Sequence, residues 1–234
     1  MKLSVIVPVY NEEKTIVTIL EALSKVKDVY EVVIVSDGST DNSVKEIKKF
    51  KKSLKPILAK KFKLFEKEND GKGSAVRYGL EKVTGDYTMI QDADLEYDPE
   101  DIPALLAPIK RGRAEVIYGS RFLGPHSNLF FWHRVGNSFL NLAINMLFDT
   151  TLSDMETCYK VLPTKLFREL DIKANKFDME PEITCKVLIR GINIFEVPIS
   201  YVGRSFEDGK KITWRDGFSA LWTIVRLKFL SFLQ

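Results

Sequence analysis

The chain has 234 residues, 45% of them hydrophobic and 29% charged, enough for one large core. A net charge of +3 is too mild to argue for a nucleic-acid partner, although local basic patches remain open. Two cysteines, Cys158 and Cys185, with no CxxC and no histidine nearby argue against a disulfide framework and against thiolate-bound metal, and suit a reducing compartment. The opening "MKLSVIVPVYNEE" has a short, β-branched apolar run without a small-residue cleavage site. It reads as a first strand rather than a signal peptide.

Strand and helix patterns then alternate. "LSVIVPV" is a buried strand, followed by a helix in which Ile16, Ile19, Leu20 and Leu23 share one face. "EVVIVSD" is the next strand, and "GSTDNSVKEIKKF" opens a helix with capping residues. "KFKLFEK", the loop "ENDGKG" and the helix "SAVRYGLEKV" follow. "DYTMIQDAD" is a fourth strand, then the helix "PEDIPALLAPIKRG" and the strand "AEVIYGS". Near-continuous apolar strands alternating with helices predict an α/β, mostly parallel sheet covered on both faces. Ligands of such sheets bind at the carboxyl ends of the strands. The polar clusters fall there: residues 10–12, 36–39, 92–96, and Ser120 with Arg121.

Asp92 and Asp94 end the fourth strand two residues apart. A turn there would let both reach one ion, and oxygen-only ligands favour Mg²⁺ or Mn²⁺, which in turn binds phosphates. The plainer reading is an acidic turn and helix start, which suits Asp98, Glu100 and Asp101. Asp37 ends the second strand, where a carboxylate either hydrogen-bonds a base or ribose or caps the next helix. Lys72 lies between two glycines before a helix, a place that attracts anions, but the pattern is neither a P-loop nor a Rossmann fingerprint. Arg121, Arg134 and Arg204 fall in loops or at element ends, and two or three arginines match phosphate groups.

Taken together, "VIVPVYNEE", "VIVSDGSTD", "NDGKGSAVRYGL", "QDADLE", "YGSRF", "DMETCYKVL" and "VPISYVGR" resemble, in order and spacing, family 2 glycosyltransferases. The likeness is greatest to the dolichol- and polyprenol-phosphate sugar synthases and covers nearly the whole chain. It implies a GT-A fold with a Rossmann-like sheet, a GDP- or UDP-sugar donor, Mg²⁺ or Mn²⁺, and inversion at the anomeric carbon. It implies that Pro8, Tyr10, Glu12 and Asp37 line the base and ribose pocket, with Lys72 beside the nucleotide. Asp92, Asp94 and Glu96 would hold the metal, and Arg204 would touch the donor diphosphate. Arg121 and Arg134, with Ser138 beside them, would receive the acceptor phosphate. Asp154 opens a motif in which Cys158 stands where glycine is commoner. A sugar hydroxyl acceptor would need a general base, for which Asp154 is the candidate, whereas a phosphate acceptor is largely dianionic and needs none.

Residues 127–148 bear on the membrane. Residues 135–148 carry no charge, too few to span a bilayer, which needs about 20. As a helix, Arg134, Asn137, Ser138, Asn141 and Asn145 form one polar stripe, and the rest is apolar. With Phe130, Phe131 and Trp132 ahead, this suits an interfacial helix, the alternative being a cover for the sheet. "DGFSALWTIVRLKFLSFLQ", interrupted by Arg226 and Lys228, suits a second amphipathic helix. The expectation is a single GT-A domain, 1–122 binding the nucleotide-sugar and 123–234 serving acceptor and membrane. It would be a peripheral or monotopic enzyme on the cytosolic membrane face, without a transmembrane helix, moving mannose or glucose to a polyprenyl or dolichyl phosphate. The rivals are a soluble relative acting on a saccharide hydroxyl and a non-catalytic nucleotide-sugar-binding module.

Overall fold

The computed structural model describes residues 1–127, 130–176, 178–204 and 214–231. Residues 128 and 129 of the first apolar segment and 232–234 of the second lie outside the described residues.

The order is β1 (Leu3–Val9), α1 (Ile16–Lys25), β2 (Val29–Asp37), α2 (Ser43–Ser53), α3 (Pro56–Ala59), β3 (Phe62–Lys67) and α4 (Lys72–Lys82). Then come β4 (Tyr87–Ile90), a 3₁₀ turn (Pro99–Asp101), α5 (Ile102–Lys110), β5 (Val116–Ser120), β6 (His126–Ser127) and α6 (Phe131–Phe148). The chain continues through β7 (Lys160–Pro163), α7 (Thr164–Glu169), α8 (Met179–Ile189), β8 (Ile194–Pro198), β9 (Tyr201–Val202) and α9 (Trp214–Ser231).

Seven strands make one sheet in the order β3-β2-β1-β4-β7-β5-β8. All are parallel except β7, which runs against both of its neighbours. β1 is buried along its whole length, as a central strand covered on both faces must be. α1 seals one face with Ile16, Ile19, Leu20 and Leu23. The antiparallel β7 was not visible in the strand–helix rhythm, because "YKVLP" carries no periodicity that sets direction.

Three boundaries move in ways that matter. β4 ends at Ile90, not at Asp94; the chain then turns, and Leu95 takes a left-handed φ of 63°. α2 begins at Ser43, where Asp41 accepts from the Ser43 N–H (2.9 Å) and hydroxyl (2.6 Å). α4 begins at Lys72 rather than after Gly73, so Lys72 stands in the first helical turn. Cys158 has negative φ, and the motif takes this conformation without glycine.

α6 does not cover the sheet. A second small core of Leu140, Ile144, Met155, Cys185, Ala220 and Ile224 joins it to α8 and α9. Short β6 and β9 pair in parallel, and the Val202 N–H donates to the Glu96 carbonyl (3.0 Å). That contact lays the 201–204 segment across the turn after β4.

Candidate active site

The carboxyl ends of the parallel strands open into a cavity of about 740 Å³. Every candidate residue named from the sequence lines it except Asp154 and Ser138.

On the β1–β2 side, Pro8 and Tyr10 form the wall, with Tyr10 exposed. Asp37 is 3% exposed and caps neither its own turn nor α2. It accepts from Lys67 Nζ (2.6 Å) and from the Asp70 (3.1 Å) and Gly71 (2.8 Å) N–H groups, fixing the loop that leads into α4. The loop fits tightly, since Gly71 has φ 98° and a Cβ there would lie 2.4 Å from the Asn175 carbonyl oxygen. Gly71→Ala is expected to cost about 1–3 kcal/mol in denaturant melts, through strain and a displaced Asp37 partner.

Lys72 then points at Asp92 (2.9 Å) and Glu180 (3.0 Å). Burial opposes its charge, but the neighbouring Asp92 and Glu180 carboxylates outweigh burial and hold the ammonium well above the ordinary lysine range.

The acidic turn after β4 is crowded. Burial first, then the Asp92 and Glu96 charges, push the Asp94 carboxyl up to about 7. Arg204 closes over this turn: its Nε donates to the Asp94 carbonyl (2.8 Å) and its guanidinium pairs with Glu12 (2.8 Å). Glu96, expected as a third metal ligand, accepts from the Arg204 N–H (2.8 Å) and the Tyr201 hydroxyl (2.8 Å). Among the described residues no three Asp, Glu, His or Cys side chains converge into a cage. The oxygen-only, over-negative pair Asp92 and Asp94 nevertheless fits a hard divalent cation.

Asp154, expected among the catalytic residues, lies off the cavity and is fully buried. Arg121 donates to it through the backbone N–H (2.9 Å), Nε (2.8 Å) and Nη2 (2.7 Å). The pair stands Arg121 against the Tyr201 ring (5.3 Å) and Phe122 (5.7 Å). Arg134 of α6 packs on the same Phe122 ring (5.1 Å), so two guanidinium groups from distant segments meet there. Asp154→Asn leaves a buried arginine without its counter-charge and is expected to cost about 3–5 kcal/mol. The melting temperature should fall by roughly 10 °C. A general base would show the opposite pattern, lost turnover at unchanged melting temperature.

The polar stripe of α6 divides. Asn141 donates to the Ser153 carbonyl and accepts from the Met155 N–H (2.9 Å), while Asn145 brackets Leu152 (2.8 and 2.9 Å). Both are used in pinning the loop before β7. Ser138 is exposed and turned from the cavity, and Asn137 lines it instead. Beyond Arg134 the cavity wall becomes apolar, with Trp132 and Phe139 from α6 and Phe218 and Leu221 from α9. The sequence reading also missed Glu156 and Glu180, which line the inner wall. Glu180 sits in an acidic first helical turn, where carboxylates are ordinary, and Glu156 in a motif valued for its neighbours.

The profile of Glycosyl transferase family 2 matches residues 4–171. The chain belongs to that family. The glycosyltransferase is 31% identical over 228 residues to a low-salt glycan biosynthesis hexosyltransferase of Haloferax volcanii, covering 91% of this chain but only about half (51%) of that protein. A UDP-N-acetylglucosamine–dolichyl-phosphate N-acetylglucosaminyltransferase of Methanococcus voltae is 26% identical over 238 residues, 95% of this chain and 94% of that one. The glycosyltransferase shares its fold with glucosyl-3-phosphoglycerate synthase of Mycobacterium tuberculosis, at TM-score 0.71 and 18% identity over 97% of this chain and 80% of that one. That crystal structure holds Mn²⁺, UDP-glucose and phosphoglyceric acid. The fold is GT-A, a mostly parallel seven-stranded sheet flanked by helices.

Proposed function

We propose that this glycosyltransferase moves a sugar, mannose or glucose, with inversion, from a GDP- or UDP-sugar to a polyprenyl or dolichyl phosphate at a membrane surface. One observation carries the reading. A single cavity runs from an acidic, arginine-closed end to an apolar mouth between α6 and α9, with Arg121 and Arg134 between them. Such a gradient matches a lipid whose phosphate must meet a nucleotide-sugar. The dolichyl-phosphate transferase among the relatives supports it.

In this reading Asp92 and Asp94 hold Mg²⁺ or Mn²⁺ on the donor diphosphate. The cation would offset charge on the leaving nucleoside diphosphate. Pro8, Tyr10 and Glu12 face the base and ribose, Asp37 shapes their loop, and Lys72 stands beside the phosphates. Arg204 moves between Glu12 and the donor diphosphate, and Glu96 holds Arg204 and Tyr201 in place. Arg121 and Arg134 receive the acceptor phosphate, which attacks as a dianion without a general base. The burial of Asp154 under Arg121 favours this acceptor over a saccharide hydroxyl.

Among the described residues no helix is long and apolar enough to cross a membrane. α6 exposes Phe131, Trp132, Val135, Phe139, Leu142 and Met146, and α9 exposes Phe218, Trp222 and Phe229. These stripes support attachment in the interface plane. Two free, buried cysteines suit the cytosolic face. The test is product analysis with a panel of GDP- and UDP-sugars and a short-chain polyprenyl phosphate. A prenyl-phosphate-linked sugar is the expected product; transfer to saccharides alone would refute the reading.

A further inference from the structure

The inner wall of the cavity carries two carboxylates that the proposed mechanism does not use. Glu156 Oε1 and Glu180 Oε2 are buried and accept no hydrogen bond from the described residues. Glu180 is 3% exposed, and its other oxygen is held by Lys72. Burial first, then the Glu180 charge, push the Glu156 carboxyl up to about 7. Neither group is adrift. Lys160, itself fully buried over the Tyr118 ring (4.7 Å), donates to the Met155 carbonyl (2.8 Å) and to the Thr157 carbonyl on either side of Glu156.

A buried polar atom left without a partner costs free energy, so two on one cavity wall call for a ligand that supplies donors. Their position says which part of a ligand. Lys72 bridges Asp92 to Glu180, so Glu180 lies one lysine beyond the aspartate assigned to the donor diphosphate. The group attached to that diphosphate is the sugar, and its hydroxyls are hydrogen-bond donors.

We propose that Glu156 and Glu180 accept hydrogen bonds from the hydroxyls of the donor sugar, and that they restrict the enzyme to neutral sugars and reject uronic acids. The inference rests on the reading of this cavity as the donor site. A sugar carboxylate would bring a further negative charge against Glu180 and Asp92 in a poorly hydrated wall, and like charges so placed cost affinity. A neutral sugar meets acceptors that otherwise have none. Removing one of its hydroxyls leaves a carboxylate oxygen unsatisfied again, which is the strong form of discrimination.

The test uses calorimetry and turnover on the full chain with Mg²⁺ or Mn²⁺. Binding of UDP and GDP alone comes first. UDP-glucose is then set against UDP-glucuronic acid, or GDP-mannose against GDP-mannuronic acid, together with deoxy-sugar forms of the neutral donor. The wild type should bind the neutral donor at least about tenfold more tightly than the uronate. Glu156→Gln and Glu180→Gln should each narrow that ratio and shrink the penalty for the matching deoxy-sugar, and with Glu156→Gln, which touches no phosphate-side residue, binding of the bare nucleoside diphosphate should change by less than about twofold. The Glu156 variant should melt no lower than wild type, since the atom it alters has no partner among the described residues.

Equal binding of neutral and uronate donors by the wild type would overturn the proposal. So would a Glu156→Gln variant that weakens the bare nucleotide and every sugar nucleotide by one common factor, the mark of a structural role. Failure of both UDP and GDP to bind would strike the donor-site reading itself and the inference with it, and the first measurement separates that outcome from the others.

Discussion

Asp94→Ala is expected to lose transfer by on the order of 10³-fold, about 4 kcal/mol, while the fold survives. The loss follows from the placement of Asp94 in the turn after β4, beside Asp92 and beneath Arg204, where a hard cation would sit on the donor diphosphate. Removing one of the two proposed oxygen ligands should abolish metal-dependent nucleotide binding. The fold should not suffer, because the carboxylate is crowded by Asp92 and Glu96 and its one hydrogen bond among the described residues, from the Glu96 N–H, is long at 3.2 Å. The melting temperature should therefore hold or rise. The measurement is nucleoside diphosphate titration with and without added Mg²⁺ or Mn²⁺, paired with thermal melting. Metal-enhanced binding and full turnover in the variant would remove Asp94 from the site.

The second large effect concerns the exposed apolar face of α6. Phe131, Leu142 and Met146 lie on one stripe of α6, are 68%, 55% and 76% exposed, and do not line the cavity. Replacing all three with serine should cost roughly 3 kcal/mol of membrane partitioning, on the order of 100-fold, since each withdraws a large apolar side chain from lipid. The triple variant should leave anionic liposomes in flotation and lose activity on long-chain lipid acceptors. It should keep its melting temperature and its activity on a short, water-soluble prenyl phosphate. High salt should release the wild type only partly, because the exposed Arg226 adds a screened term to an apolar one. Leu140→Ser is the contrast. Leu140 is 7% exposed in the small core between α6 and α9, so a hydroxyl there should lower the melting temperature. Unchanged flotation of the triple variant would mean that this face does not meet lipid.

Much of the site was legible because strand ends are legible. A strand buried on both faces reads as an unbroken apolar run, and the first polar residues after it must lie at the sheet's carboxyl edge. That placed Tyr10, Asp37 and Asp92 on one rim before any contact was known. The fate of their side chains was not legible. Asp37 suits a ribose or a helix cap by its position alone, and its carboxylate also holds the loop before α4. Asp154, a candidate base for a sugar-hydroxyl acceptor, is the buried counter-ion of Arg121.

The sequence by itself determined the α/β class, the alternation of buried strands with helices through β5, the acidic turn after β4 and two apolar segments too short or too charged to cross a bilayer. Each of these is written in residues a few positions apart, and local periodicity reads them. Only the tertiary structure decided the rest. It placed β7 antiparallel between β4 and β5, paired Arg204 with Glu12 across 192 positions of sequence, and bridged Asp92 to Glu180 through Lys72. It also divided the apolar surface of α6, burying Leu140 and Ile144 against its neighbours and leaving Phe131 and Met146 outside. A helix carries apolar residues over a wide arc, and which part of that arc is covered depends on the angle at which α8 and α9 arrive. Strand order sets that approach, and the order is chosen by packing over the whole chain rather than by any one stretch of it.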